Sequence, residues 1–162
     1  MDSQFLLAVI SRWLHVGTAI VLIGGTFFMR MIVLPSVAGG SEELLAGIRK
    51  RWQRVLHPGI AIFILSGFYN FWRALPDHSD DGLYHGLVGT KILLAFGIFF
   101  LASALTGRSA GTQKFRDQPR RWLGVILLLA TVIVGISGFV KVRGPASGAP
   151  TANATETPDA GE

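Results

Sequence analysis

The chain has no cysteine. That single absence removes disulfides, thiolate metal sites, iron–sulfur clusters and covalent c-type haem attachment, while leaving the redox compartment open. Charge is scarce too. Only 15% of the 162 residues are charged against 50% apolar, and mean hydropathy is +0.47, the balance of a membrane protein rather than of a soluble domain. Within the apolar stretches there is no carboxylate pair, nucleophile triad or phosphate-binding loop, and no internal repeat is visible.

What is present is four apolar runs, at residues 13–35, 55–75, 87–105 and 122–140. Each is near the roughly 20 residues that cross about 30 Å of hydrocarbon. The expected fold is therefore all-α, an integral membrane bundle of four transmembrane helices occupying residues 1–143. The first run does not read as a cleaved signal peptide, because Asp2 replaces a basic n-region and Arg12 interrupts the opening apolar stretch. Ser41-Glu42-Glu43-Leu44 is a helix start, and the stretch from there to Arg54 predicts an amphipathic helix on the inner face leading into span two, with a kink at Pro58. From Gly144 to Glu162 the composition turns to Gly, Pro, Ala, Ser and Thr with three acidic residues, which predicts a disordered tail. Asn153-Ala154-Thr155 in that tail matches a glycosylation acceptor, a motif relevant only in a secretory pathway.

The formal charge of +5 is informative through its placement. Arg49, Lys50, Arg51 and Arg54 lie between spans one and two, and Arg108, Lys114, Arg116, Arg120 and Arg121 lie between spans three and four. The opposite side carries Arg12, Arg73, Lys141 and Arg143 together with the acidic loop Asp77, Asp80 and Asp81. The positive-inside rule makes the two basic loops cytoplasmic and puts both termini outside. Read this way, the basic clusters are topology signals and contacts to anionic lipid, and nucleic acid is not an expected partner.

Lys91 is the one fixed charge inside the run from Leu87 to Leu105. An isolated ammonium in hydrocarbon costs at least about 2.5 to 3.5 kcal/mol even on lenient insertion scales. His15 lies near the start of span one. Spans one and three run in the same direction, and His15 and Lys91 lie two and four residues past the starts of their runs, so at about 1.5 Å per residue they differ in depth by less than one helical turn. The two can face one site. Their helices present compatible faces: His15, Thr18, Leu22 and Gly25 on span one, Lys91, Ala95 and Ala102 on span three, and Gly59, Phe63, Ser66 and Asn70 on span two. Gly124, Thr131, Gly135 and Gly138 form a small-residue stripe on span four, of the kind that lets helices approach closely in lipid. Imidazole is a common axial haem ligand and a neutral lysine amine can also bind iron, so haem is one reading of the pair. The plainer reading makes His15 an interhelical hydrogen-bond donor and Lys91 an anchor that snorkels to the headgroups.

Other polar residues have plain readings as well. Arg30 and Arg73, near span ends, read as snorkelling anchors. His57 opens span two at the opposite end from His15, more than about 20 Å away by helix rise, so the two cannot share an iron atom. His57 reads as interfacial packing, or as a second haem or copper site with Met29 or Met31. His78, Asp80, Asp81 and His85 read as a solvated acidic loop, or as a collector of a divalent metal such as Cu(II).

Several short motifs share a pattern: Trp13-Leu14-His15 followed ten residues later by Gly25 and then Phe27-Phe28, His57-Pro58-Gly59 entering span two, Ser66-Gly67-Phe68, and Gly89-Thr90-Lys91-Ile92-Leu93 in span three. In their order and spacing, over roughly residues 10–143, they resemble the four-helix membrane proteins of the HemJ-type protoporphyrinogen oxidase family and the related CopD-type copper-resistance membrane domain. The resemblance implies haem b as cofactor, His15 and Lys91 as its axial ligands, and a haem-dependent oxidoreductase of the bacterial inner membrane that works with a porphyrinogen or a quinone. This chain departs from the oxidase pattern at Ala102, where the family tends to carry a further histidine, and at Arg120, Arg121 and Trp122, where it tends to carry a glutamate. The cofactor site therefore transfers better than the reaction. Ile23-Gly24-Gly25 resembles the copper-resistance relatives and implies copper passage or tolerance. Against this, tight copper(I) transport favours several thioethers or thiols, and only Met29 and Met31 lie in the membrane region. A small accessory subunit without cofactor is the third reading.

Overall fold

The structure is a computed structural model, and it describes residues 2–37, 39–78, 81–107 and 109–144. The expected disorder of the tail and the acceptor at Asn153 concern positions beyond Gly144 and lie outside the described residues. Helix α1 (Ser3–Phe28) opens on Asp2, whose carboxylate accepts from the Gln4 N–H at 3.3 Å and supplies one of the partners a helix start lacks. It runs through a wide π turn (Met29–Val33) into α2 (Leu34–Ser36) without a break, 34 residues in all. The wide turn immediately precedes Pro35. In a regular α-helix the proline ring would clash with the Met31 carbonyl and leave it without its donor, and widening the turn relieves both.

Helix α3 (Glu42–Ala74) starts where the sequence predicts, with the Ser41 hydroxyl accepting from the Glu43 and Leu44 N–H groups at 3.2 and 3.4 Å. Two acidic residues in its first turn and Arg73 in its last complement the helix dipole. The amphipathic segment and span two form one helix of 33 residues, which passes through Pro58 without interruption. Helix α4 (Gly82–Thr106) is capped by Asp81, which accepts from the Tyr84 N–H at 3.1 Å. After the short α5 (Gln113–Asp117), helix α6 (Pro119–Arg143) begins on a proline, whose missing N–H costs nothing at that position. It ends at Gly144, where φ is +71°.

No strand occurs among the described residues, and α1–α2, α3, α4 and α6 are each long and apolar enough to cross a membrane. The chain is an all-α integral membrane protein. Its outer surface carries the large apolar side chains that soluble proteins bury, among them Trp13, Ile20, Leu65, Leu93 and Val134, as expected where the solvent is lipid. The most extensive helix contacts are α1 with α3 and α4 with α6, so the bundle is two sequential hairpins; narrower contacts of α3 with α4 and α1 with α6 close the ring.

The close-packed core sits toward the basic-loop end. Leu22, Leu56, Leu101, Leu105, Phe115 and Ile126 are buried there, with Trp52 and Trp122 against them. Phe115 meets Trp122 edge-on at 4.8 Å between ring centroids. Two glycines allow the approach of α1 to α3: a Cβ on Gly25 would fall against the edge of the Trp52 ring, and one on Gly59 would lie 2.9 Å from Leu22 Cδ2. The small-residue stripe on span four behaves otherwise. Thr131, Gly135 and Gly138 are exposed, with nothing within 4 Å of a Cβ at either glycine, and α6 buries Ile126 and Ala130 instead. Only Gly124 of that stripe is at a contact, against the Arg30 guanidinium.

Candidate functional site

His15 projects from α1 onto α3. Its Nδ1 lies 3.1 Å from the Phe63 carbonyl oxygen and 3.1 Å from the Ser66 hydroxyl. A carbonyl oxygen can only accept, so the proton is on Nδ1. The Ser66 hydroxyl spends its own hydrogen on the Ile62 carbonyl, 2.7 Å away, and so presents a lone pair to the imidazole. In the neutral ring this leaves the lone pair on Nε2, the arrangement by which a backbone carbonyl orients a ligating histidine. The ring stacks on Phe63 at 4.0 Å and 28°, and Gly67 lies under its edge, where a Cβ would stand 2.9 Å from Cε1. Ser11, one turn before His15, donates to the Ser66 carbonyl at 3.3 Å and fixes the same stretch of α3.

Lys91 enters from α4, half-buried, and has no hydrogen-bond or ion-pair partner among the described residues. It lies nine residues past the start of α4, as His15 lies twelve past the start of α1, so the two are at similar depth. Phe99, two turns further along α4, meets Phe63 edge-on at 5.7 Å, so α1, α3 and α4 are joined through one aromatic contact chain beside the two donors. The inward faces expected for spans one to three are the ones observed: Leu22, Ser66 and Ala102 are buried, and Thr18, Gly25, Gly59, Phe63, Asn70, Lys91 and Ala95 are half-buried. What the arrangement offers chemically is an oriented imidazole with a free Nε2 and an amine on α4, and no carboxylate among the described residues forms an ion pair with either.

The arginines expected to be free anchors are tied to backbone. Arg30, in the wide turn, donates from Nε to the Arg120 carbonyl at 3.1 Å, while Arg73 donates to the Gln4 carbonyl at 3.0 Å and holds the start of α1 against the end of α3. His57 is exposed on α3. The acidic loop is not simply solvated. Asp81 is buried, and its second carboxylate oxygen takes a 2.8 Å bond from Arg143 at the end of α6. Arg143 and the Tyr84 N–H together hold its carboxyl below the usual carboxylate range. His78 bonds the Ala74 carbonyl at 3.0 Å through Nδ1 and stacks on Tyr84 at 3.9 Å, and His85 meets the same ring edge-on. No group of three His, Asp or Glu residues able to hold a metal ion occurs among the described residues, and Asp80 lies outside them.

Sequence reasoning missed the Asp81–Arg143 pair, which joins residues 62 apart. The local signal was half visible: an aspartate directly before Gly82 and an apolar run is a helix cap. It also missed the supporting pair Ser66 and Gly67 as the seat of His15, although both stand in the motifs of span two. No protein-family model, curated protein or solved structure gives a significant match to the chain.

Proposed function

We propose that the protein is a haem b-binding redox protein of the membrane, with His15 and Lys91 as the axial ligands. The observation that carries this reading is the His15 tautomer. With Nδ1–H engaged by the Phe63 carbonyl and the Ser66 hydroxyl, Nε2 is left as a donor, and the Lys91 amine on α4 has no competing partner among the described residues. An imidazole on α1 and an amine on α4, with aromatic and apolar surroundings, are donor types that could hold a haem iron. Haem, when bound, supplies one-electron iron chemistry. The chain's own contribution is to orient the imidazole through Ser66 and Phe63 and to leave room for it at Gly67.

Partners consistent with this reading are apolar redox molecules of the bilayer, a porphyrinogen-like substrate or a quinone. The same reading places the protein in a bacterial inner membrane with the basic loops cytoplasmic and both termini outside, supported by the nine basic residues of those two loops. Reporter fusions after Arg116 and after Gly144 then give cytoplasmic and external signals respectively, and finding the two basic loops on opposite sides defeats the orientation.

The deciding experiment is a visible spectrum of the detergent-purified protein combined with metal analysis. A Soret band is expected, and His15→Ala releases or alters the haem. Lys91→Arg keeps the positive charge but has no lone pair for iron, so it loses the six-coordinate low-spin spectrum while still inserting. Wild-type spectra in Lys91→Arg refute the axial lysine. Stoichiometric copper without haem favours the copper-resistance reading instead, and absence of both favours an accessory subunit.

A further inference from the structure

A second polar site lies at the other end of the bundle. A cavity of about 290 Å³ opens between the first turns of α3 and the end of α4, lined by Arg49, Lys50, Gln53, Thr106 and Arg116 among others. Three cations thus border one cavity. None has a carboxylate partner: the only ion pair among the described residues is Asp81–Arg143 at the opposite end. Glu42 and Glu43, about two turns earlier on α3, and Asp117, next to Arg116, are the nearby acidic residues in sequence, and none of them bridges to the three cations.

Arg116 shows that the site is built. Its two terminal nitrogens donate to the Gly107 and Ser109 carbonyls, the Thr112 hydroxyl and the Gln113 side-chain oxygen, at 2.6 to 3.1 Å. All four acceptors are neutral, so the guanidinium is fixed in place with its charge uncompensated. Arg49 and Thr106 also line a narrower, apolar cleft of about 40 Å³ that runs inward past Trp52, Leu105 and Leu123. The cavity stands at headgroup depth: α3 is 33 residues, about 50 Å long, against about 30 Å of hydrocarbon, so its basic first turns extend beyond the apolar layer.

We propose that this cavity is a specific binding site for a phosphate-bearing anion, with the phosphate on Arg49 and Lys50, Arg116 adding its fixed charge and its one uncommitted Nε–H, and the adjoining apolar cleft taking the start of an attached hydrocarbon. A phosphate oxygen set matches convergent cations and the Gln53 amide, while the Thr106 hydroxyl spends its hydrogen on the Ala102 carbonyl. The ligand source is an anionic phospholipid headgroup or a phosphate compound in solution.

The test titrates the full-length protein in a neutral detergent with phosphatidylglycerol and, separately, with inorganic phosphate, following retention by native mass spectrometry. Saturable binding of one phosphatidylglycerol per chain is expected. The double variant Arg49→Gln, Lys50→Gln weakens it about thirtyfold, roughly fivefold for each cation withdrawn. The double variant Arg51→Gln, Arg54→Gln removes the same charge from the same helix outside the cavity and weakens it less than about threefold. Equal losses in the two pairs reduce the effect to diffuse attraction and overturn the site, as does absence of saturable binding of either probe. One-to-one binding of inorganic phosphate with no preference for the lipid assigns the same site to a soluble ligand. Wild type alone provides a check free of folding effects: equal retention of phosphatidylglycerol and zwitterionic phosphatidylcholine, without one-to-one binding of inorganic phosphate, overturns the proposal.

Discussion

The two ends of this bundle are held by different physics. Toward the basic loops, Leu22, Leu56, Leu101, Leu105 and Ile126 interlock around Trp52, Trp122 and Phe115, and contact is a matter of shape. Toward the other end there is less large apolar burial, and the helices are fastened through polar groups: Ser11 and His15 to α3, Arg73 to α1, Asp81 to Arg143. In lipid the hydrophobic effect does not favour helix association, because tails are as apolar as leucine. Tight shape and directed hydrogen bonds are the two remaining means; shape dominates toward the basic loops, where Arg30 to the Arg120 carbonyl adds a directed bond, and hydrogen bonds dominate at the other end. The division also leaves the polar end as the place where donors can be exposed to a ligand without dismantling the core.

Filling space at the shape-held end gives the largest expected effect. Gly25→Ala drives a methyl group against the edge of the Trp52 ring, which packs on the core cluster and must shift to admit it. A loss of about 1 to 3 kcal/mol is expected, read as a lower thermal midpoint in detergent. A midpoint equal to wild type would mean that Trp52 is free to move and that the close-packed end is not close-packed.

Removing a hydrogen-bond partner at the polar end costs less. Ser66→Ala leaves the His15 Nδ1–H with the Phe63 carbonyl alone, at an expected cost of about 0.6 to 1.7 kcal/mol. If the imidazole is a ligand, the same variant alters the spectrum of any bound chromophore, whereas a purely structural serine changes the midpoint only.

The Asp81–Arg143 bond responds to acid rather than to space. Because the folded state holds the Asp81 carboxyl below its usual range, its stabilisation is complete at neutral pH and is lost as pH falls below about 4. Asp81→Asn should therefore lower the neutral-pH midpoint slightly and flatten its decline in acid. An unchanged acid limb in Asp81→Asn would show that the bond contributes nothing measurable. The smallest effect is predicted for Gly135→Ala, whose Cβ meets nothing: a change within about 0.5 kcal/mol. A larger loss would show that α6 has a contact surface beyond the four-helix bundle.

The contrast between these positions also marks what the sequence can disclose. The four spans were legible because length and hydropathy are local properties, and Ser41 was legible because a cap is a local hydrogen bond. The inward faces of α1, α3 and α4 were legible through their few polar and small residues, His15, Ser66 and Lys91. On α6 that cue misleads. Gly135 and Gly138 suggest an interface, yet Ile126 and Ala130 make it, because an apolar side chain is equally soluble in lipid and in protein and its identity carries no direction. The Asp81–Arg143 bond joins the beginning of one helix to the end of another, 62 residues apart, and is carried by no local pattern.

The division into two hairpins has a consequence for how the protein is assembled. Residues 2–74 form α1 through α3 and bury most of their contacts against each other, and residues 82–143 do the same, so each hairpin can enter the bilayer as a finished unit during synthesis. The seam where they dock is thinner, and both polar sites straddle it: His15 and Lys91 come from opposite hairpins, as do Arg49 and Arg116. A ligand that touched both members of either pair would bridge the two hairpins and so favour their docking.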